Sequence, residues 1–160
     1  MFLQMEIFND QHEMYAHMAS ALASVIKRRD DVVASLANAS ALIKTYLDDA
    51  IWVGFYLYRE DGLTLGPFQG KPAVTRIKIG QGVCGEAART LRTIRIDDVK
   101  TCNNYIECDE LTASEIVIPM INRDRLLGVL DIDCPIAGRF DQADERALEK
   151  IVGSLVKMIY

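Results

Sequence analysis

The chain has 160 residues, half of them apolar, which is enough for one domain to close around a single core. Its net charge is −5 and its longest basic run is Lys27-Arg28-Arg29, which argues against a surface that tracks nucleic-acid phosphates. No window approaches the roughly 20 uninterrupted apolar residues of a membrane span, and MFLQMEIFND lacks a basic-then-apolar leader, so no membrane partner is expected. The expectation is a soluble cytoplasmic protein, residues 1–160 forming a single domain.

Between Asp10 and Arg29 the apolar residues Met14, Met18, Leu22, Val25 and Ile26 recur at helical spacing, and a second helix is predicted from Asp31 to Tyr46 with Val33, Leu36, Ile43 and Leu47 inward. The period then changes. IWVGFYLY at 51–58 is aromatic and β-branched, and it runs into Arg59-Glu60-Asp61-Gly62, a hairpin signal. Strands are predicted at 63–68 and 73–79. Gly80-Gln81-Gly82 then opens a short helix over 83–91, in which Gly85, Ala87 and Ala88 permit close packing. A brief strand at 93–96 leads into a polar loop, 97–113. Two further strands, 115–121 and 126–133, flank the turn Asn122-Arg123-Asp124-Arg125. The final helix carries the stripe Leu148, Ile151, Val152, Leu155, Val156 and Ile159 after Asp141 as N-cap. Hairpins in this order favour an antiparallel sheet.

The loop sequence CNNYIECDE at 102–110 raises the question of its cysteines. Cys84, Cys102, Cys108 and Cys134 are too few and too spread for a secreted disulfide framework, so they are expected to rest as thiols. None forms a Cys-x-x-Cys pair, and His12 and His17 lie far upstream, so no metal and no other cofactor is expected. A cysteine in a polar loop is unlike the usual buried one. Cys108 nevertheless stands between Glu107 and Asp109, whose charge would hold its thiol protonated. Cys84, just inside a helix N-terminus, has the opposite local setting, since the dipole favours its anion; it could equally be a small packed residue. Cys134 reads as a packing residue at a strand end.

In RLLGVLDID, alternation puts Leu127, Val129, Asp131 and Asp133 on one face and Leu130 and Ile132 on the other. The two acids either mark a strand running into solvent or form a cation site in which repulsion keeps a proton on one of them. Trp52 and Tyr56, four apart, share a strand face as core residues or as an aromatic wall with a polar tip.

Three segments together, GQGVCGEAA at 80–88, IECDELTASEIVIP at 106–119 and GVLDID at 128–133, resemble the free methionine-(R)-sulfoxide reductases, single GAF-domain enzymes. The resemblance runs from about Ile51 to the C-terminus. It implies an α/β (α+β) GAF fold, with a central antiparallel sheet of about five or six strands flanked by N- and C-terminal helices. It also implies reduction of free methionine-(R)-sulfoxide, with a thioredoxin-like reductant closing the cycle. By matching position, Cys108 resembles the nucleophile. Glu115, Asp131 and Asp133 resemble the acids that bind the ammonium and protonate the leaving oxygen, and Trp52 and Tyr56 match the pocket for the S-methyl group. Cys84 matches a further family cysteine. The family usually has a thiol ten residues before Cys84, and here that position is Val74, which leaves Cys84, Cys102 or an external thiol to resolve a sulfenic acid. The alternative is a GAF ligand-binding or sensor module with lost or weak turnover. The resemblance implies homodimers through terminal helices, a role the Leu148–Ile159 stripe fits as well as it fits burial in the monomer.

Register poses one condition. A regular two-residue Arg123-Asp124 hairpin would set Glu115 opposite Ile132, away from Asp131 and Asp133, so a common acidic face requires a longer loop or a β-bulge.

Overall fold

The computed structural model describes residues 8–27 and 30–160; the first seven residues of the segment read for a leader, and the predicted end of the first helix at Arg29, lie outside the described residues. Helix α1 spans Gln11–Val25 and α2 spans Val32–Tyr46, each opened by an aspartate N-cap, Asp10 and Asp31, that accepts a backbone N–H of the first turn. The buried stripe of α2 runs through Leu36, Ala39, Leu42 and Ile43. Val33 is 53% exposed, contrary to expectation, because Val32, four residues before Leu36, takes the inward position.

Strands β1 (Trp52–Arg59) and β2 (Gly62–Gln69) form the expected hairpin, with Arg59 paired to Gly62. Strand β3 is shorter than predicted, Arg76–Lys78, because the chain before it serves other partners: the Lys71 and Val74 carbonyls accept hydrogen bonds from Trp52 and Tyr56. Helix α3 (Gly82–Thr90) follows Gly80 and Gly82, both at positive φ. A side chain at Gly85 would run into the Lys78 carbonyl, so the small residue there sets the turn. After β4 (Ile94–Ile96), a 3₁₀ turn at Val99–Thr101 interrupts the polar loop, and β5 (Ser114–Asn122), β6 (Arg125–Cys134) and α4 (Gln142–Ile159) complete the fold.

Among the described residues the six strands form one antiparallel sheet in the order β3-β2-β1-β6-β5-β4. Strand alternation splits its apolar residues between two cores. On one face Val53, Phe55, Ile116, Leu130 and Ile132 pack against α1, α2 and α4; on the other Trp52, Tyr56, Val117 and Val129 pack against α3. Each fully buried aliphatic or aromatic side chain contributes about 1.5–3 kcal/mol relative to exposure. Helix α4 buries Leu148, Ile151, Val152, Leu155 and Val156 of the predicted stripe, with Ile159 half-buried at its end, and Asp141 caps it as expected, within a reciprocal capping box with Asp144. Asp144 also receives the Tyr15 hydroxyl at 2.6 Å, which ties α1 to α4. No helix among the described residues is long and apolar enough to cross a membrane.

Candidate active site

The register condition is met by a bulge. The turn itself is a two-residue one, Asn122 pairing with Arg125, and Arg123 and Asp124 both at positive φ as the twist of such hairpins requires. Ile121 then pairs with Leu126 but Met120 with Gly128, so Leu127 is an extra residue on β6. From there inward the pairing shifts by one, and Glu115 stands opposite Asp133 with Val117 opposite Asp131. The bulge also corrects the expected placement of Leu127: it packs on the α1/α2/α4 side, and Leu126 takes its place on the acid side. Gly128 is required beside it because a Cβ would collide with the Tyr56 carbonyl of β1.

Pairing of β1 with β6 brings the aromatic residues to the same face, Trp52 opposite Asp133, Gly54 opposite Asp131 and Tyr56 opposite Val129. The Trp52 ring stacks on Tyr56 at 6.0 Å and on Phe68 at 5.3 Å. Their polar tips are engaged by the backbone: Trp52 Nε1 donates to the Lys71 carbonyl at 3.0 Å and Tyr56 OH donates to the Val74 carbonyl at 2.9 Å. The absent side chain at Gly54 leaves room for this stack, since a Cβ there would lie 2.5 Å from Trp52 Cη2.

Between sheet, α3 and the 102–110 loop lies a cavity of about 30 Å³, lined by Tyr56, Cys84, Tyr105, Cys108, Glu115, Asp131 and Asp133 among others. All three acids are buried, at 5%, 7% and 8% exposure for Glu115, Asp131 and Asp133, so the reading of a strand running into solvent does not hold. Glu115 Oε2 and Asp131 Oδ1 accept no hydrogen bond. A ligand atom each from Cys84, Glu115 and Asp131 fall within 4.8 Å of one another, a grouping of metal-ligand type that no local sequence spacing announces.

Burial dominates the protonation of this cluster. It pushes Glu115 well above the usual carboxylate range, helped by the charges of Asp131 and Asp133. Burial likewise raises Asp133 well up, with Asp131 and Asp109 adding to it. Asp131 is raised by burial to about 6, restrained by the neighbouring Cys84 thiol, Glu115 carboxyl and Ile132 backbone. Burial therefore favours proton retention within the cluster as a whole.

The thiols divide differently from their local settings. Cys84 is buried, and desolvation followed by Asp131 and Glu115 pushes its thiol well up, overriding the helix N-terminus expected to favour its anion. Cys108 is exposed at the cavity rim; partial enclosure raises its thiol first, the charges of Asp131 and Asp133 add, and a hydrogen bond with the Val74 backbone opposes. Asp109, expected to be the local cause, is instead engaged by Lys71 at 3.0 Å. Cys102 is half-buried beside the α3-side core, and Cys134 is buried on the opposite face, its Sγ donating to the Asp49 carbonyl.

Several residues that shape the site from around the cavity carried no signal in the sequence. Asn104 joins the loop to α3 by accepting the Gly82 N–H at 3.1 Å and donating to the Gly80 carbonyl at 3.0 Å, and Ile106 seats on Gly82, where a Cβ would approach its Cδ1 to 2.7 Å. Phe68 could have been sought as an aromatic residue on the strand pairing with Gly54.

Residues 31–158 match the GAF domain family. The chain is 42% identical over 147 residues to the free methionine-R-sulfoxide reductase of Escherichia coli, covering 92% of this chain and 89% of that protein. Its fold superposes on the substrate complex of the Staphylococcus aureus fRMsr with a TM-score of 0.86 at 42% identity, covering 97% and 98% of the two chains. The free methionine-R-sulfoxide reductase of Neisseria meningitidis in complex with its substrate gives a TM-score of 0.87 at 36% identity, covering 99% and 95%. With its acids, Cys84, Cys108 and aromatic wall gathered on the α3 face of a six-stranded antiparallel sheet, the chain belongs to the GAF-domain family, in its free methionine-R-sulfoxide reductase branch.

Proposed function

We propose that this chain reduces the R-sulfoxide of free methionine to methionine, with Cys108 as nucleophile. The observation that carries the reading is the convergence, through the Leu127 bulge, of three buried carboxyls on a cavity whose rim holds an exposed thiol. In this reading the substrate ammonium lies among Glu115, Asp131 and Asp133 and supplies the cation that the orphaned carboxyl oxygens lack. Trp52 and Tyr56 hold the S-methyl group. A cavity of about 30 Å³ accommodates a water or two, less than any amino acid, so the 102–110 loop lifts to admit substrate.

A sulfoxide becomes electrophilic when its oxygen is protonated, and Glu115 and Asp133, whose hold on a proton burial strengthens, are suited to donate. Cys108 sulfur attacks the substrate sulfur, the S–O bond breaks, and the oxygen passes to Cys108 as a sulfenic acid. The substrate sulfur gains the two electrons that Cys108 loses. A thiol then condenses with the sulfenic acid, releasing water and forming a disulfide, and a thioredoxin-like reductant returns both sulfurs to thiols. Cys84 lines the same cavity and Cys102 shares the loop, so either can take that step, as can an external thiol. We read residues 1–160 as one GAF unit working in the cytoplasm, paired through its terminal helices, to repair methionine oxidised under oxidative stress.

Val74, beside the nucleophile at the position where a second thiol would lie within reach, favours a second reading: a GAF module that binds a small amphoteric ligand without turnover. An electrophoretic thiol trap separates the two. After methionine sulfoxide is added to the reduced protein, a reductase loses free thiols through a sulfenic acid or disulfide, whereas a binder keeps all four.

A further inference from the structure

The cavity as it stands, with the loop down, is matched to something smaller and more strongly charged than an amino acid. Its lining holds two thiols, Cys84 and Cys108, and three carboxyls and, among the described residues, no lysine, arginine or histidine. Two carboxylate oxygens in it, Glu115 Oε2 and Asp131 Oδ1, are buried without a hydrogen-bond donor. Ligand atoms of Cys84, Glu115 and Asp131 already converge to within 4.8 Å. A tetrahedral zinc ion with bonds of about 2.0–2.3 Å holds its ligands roughly 3.3–3.8 Å apart, so modest side-chain rotation closes the set. One ion with one water fits a space of about 30 Å³.

We propose that Cys84, Glu115 and Asp131 form a binding site for a borderline divalent cation of the zinc class, which occupies the closed cavity in place of the amino-acid substrate. The donor set selects the metal: one sulfur excludes the hard cations calcium and magnesium, and two carboxylates disfavour copper(I). Three protein ligands with an open fourth position, filled by water, are sufficient for tight binding without further protein groups. The residues come from three elements, α3, β5 and β6, so the site is assembled by the fold and invisible to Cys/His spacing rules. Metal and substrate ammonium compete for Glu115 and Asp131, which makes the ion a reversible inhibitor; only this inhibition rests on the reductase reading, and the metal site stands apart from it.

The test uses the full chain, reduced and metal-free, titrated with Co²⁺ as a spectroscopic probe. One equivalent should bind with thiolate-to-cobalt charge-transfer absorption in the near ultraviolet, and Zn²⁺ should displace it. Cys84→Ser should abolish the charge-transfer band, while Cys102→Ser and Cys134→Ser retain it. Glu115→Gln and Asp131→Asn should each weaken Zn²⁺ binding at least about tenfold by calorimetry, with circular dichroism confirming the fold of every variant. Those two carboxyl variants carry the test should Cys84→Ser not fold. No stoichiometric cobalt binding by the wild type, or a band that survives Cys84→Ser and disappears in Cys108→Ser, overturns the site. Saturating L-methionine sulfoxide should raise the cobalt concentration at half occupancy; an unchanged midpoint overturns the competition. Because the readout is a spectrum, a protein that binds cobalt through Cys84 yet reduces no sulfoxide retains the metal site while losing the reductase reading.

Discussion

Replacing Asp131 with asparagine removes one negative charge from a cluster that, without substrate, has no cation to pair with, and its two consequences have opposite signs. Burial raises the Asp131 carboxyl from 3.8 to about 6. In a folded state that binds the proton more tightly than the unfolded chain, stability is fullest below the unfolded value and is lost as pH rises through the folded one. At about 1.4 kcal/mol per pH unit, the wild type should give up as much as roughly 3 kcal/mol between about pH 4 and pH 7 on account of this group. Asp131→Asn, which cannot ionise, should therefore be more stable than wild type at pH 8, with the advantage shrinking toward pH 4.5. Substrate binding moves the other way, since loss of one partner of a buried ammonium costs about 2–5 kcal/mol, roughly thirtyfold to several thousandfold in affinity. Urea unfolding at several pH values and calorimetric titration with L-methionine sulfoxide measure the two. A variant less stable at pH 8, a stability difference that does not vary with pH, or unchanged affinity would refute the account of an unpaired acidic cluster awaiting an ammonium group.

Cys108→Ser should abolish methionine formation in a single cycle without reductant, while Cys102→Ser and Cys134→Ser complete the first turnover; a burst that survives in Cys108→Ser and vanishes in Cys84→Ser would identify the buried thiol as the attacking group. Gly54→Ala should drive its new methyl into Phe68 and Trp52, costing about 1–3 kcal/mol of stability and weakening substrate binding. Because Trp52 is the one tryptophan of the chain, its fluorescence reports the displacement directly; an unchanged emission spectrum would contradict the packed stack. Asp141→Ala should cost about 1–2 kcal/mol at pH 7 through loss of the α4 cap. Hydrogen bonds from the backbone of Asp144 hold the Asp141 carboxyl below its usual value, so this contribution exists above about pH 4 and is lost on further acidification; urea unfolding at pH 7 and pH 3 should show the mutant penalty shrinking.

Elements whose signal is local were legible in the sequence. The β1 run, the Asp141 cap and the α4 stripe each follow from period, cap chemistry and turn residues within a few positions. Tertiary context decided the rest. Val33 satisfies the helical period about as well as Val32, and only docking of α2 on the sheet chooses between them. For Cys84, the helix N-terminus was visible, but burial under the folded chain, followed by the Asp131 and Glu115 carboxyls on other elements, outweighs it. The acidic face depended on one extra residue in β6; Gly128, an isolated glycine within a strand, was the available hint of a bulge, although its partner Tyr56 on β1 was not. The loop contacts of Asn104, Tyr105 and Ile106 had no periodicity to betray them, because a loop that closes a cavity is shaped by the surface it covers.

The central claim is tested most directly by supplying the reduced protein with dithiothreitol and measuring methionine formed from free L-methionine-(R)-sulfoxide, the (S)-epimer, and the R-sulfoxide as N-acetylated or peptide-bound residue. Acylation removes the ammonium charge and leaves Glu115, Asp131 and Asp133 without their partner, a costly state for buried carboxyls. The account predicts turnover of the free R-epimer, little or none of the S-epimer, and a large loss on the acylated forms. Equal turnover of free and N-acetylated sulfoxide, or no turnover of the free R-epimer by protein whose thiols are fully reduced, would contradict it.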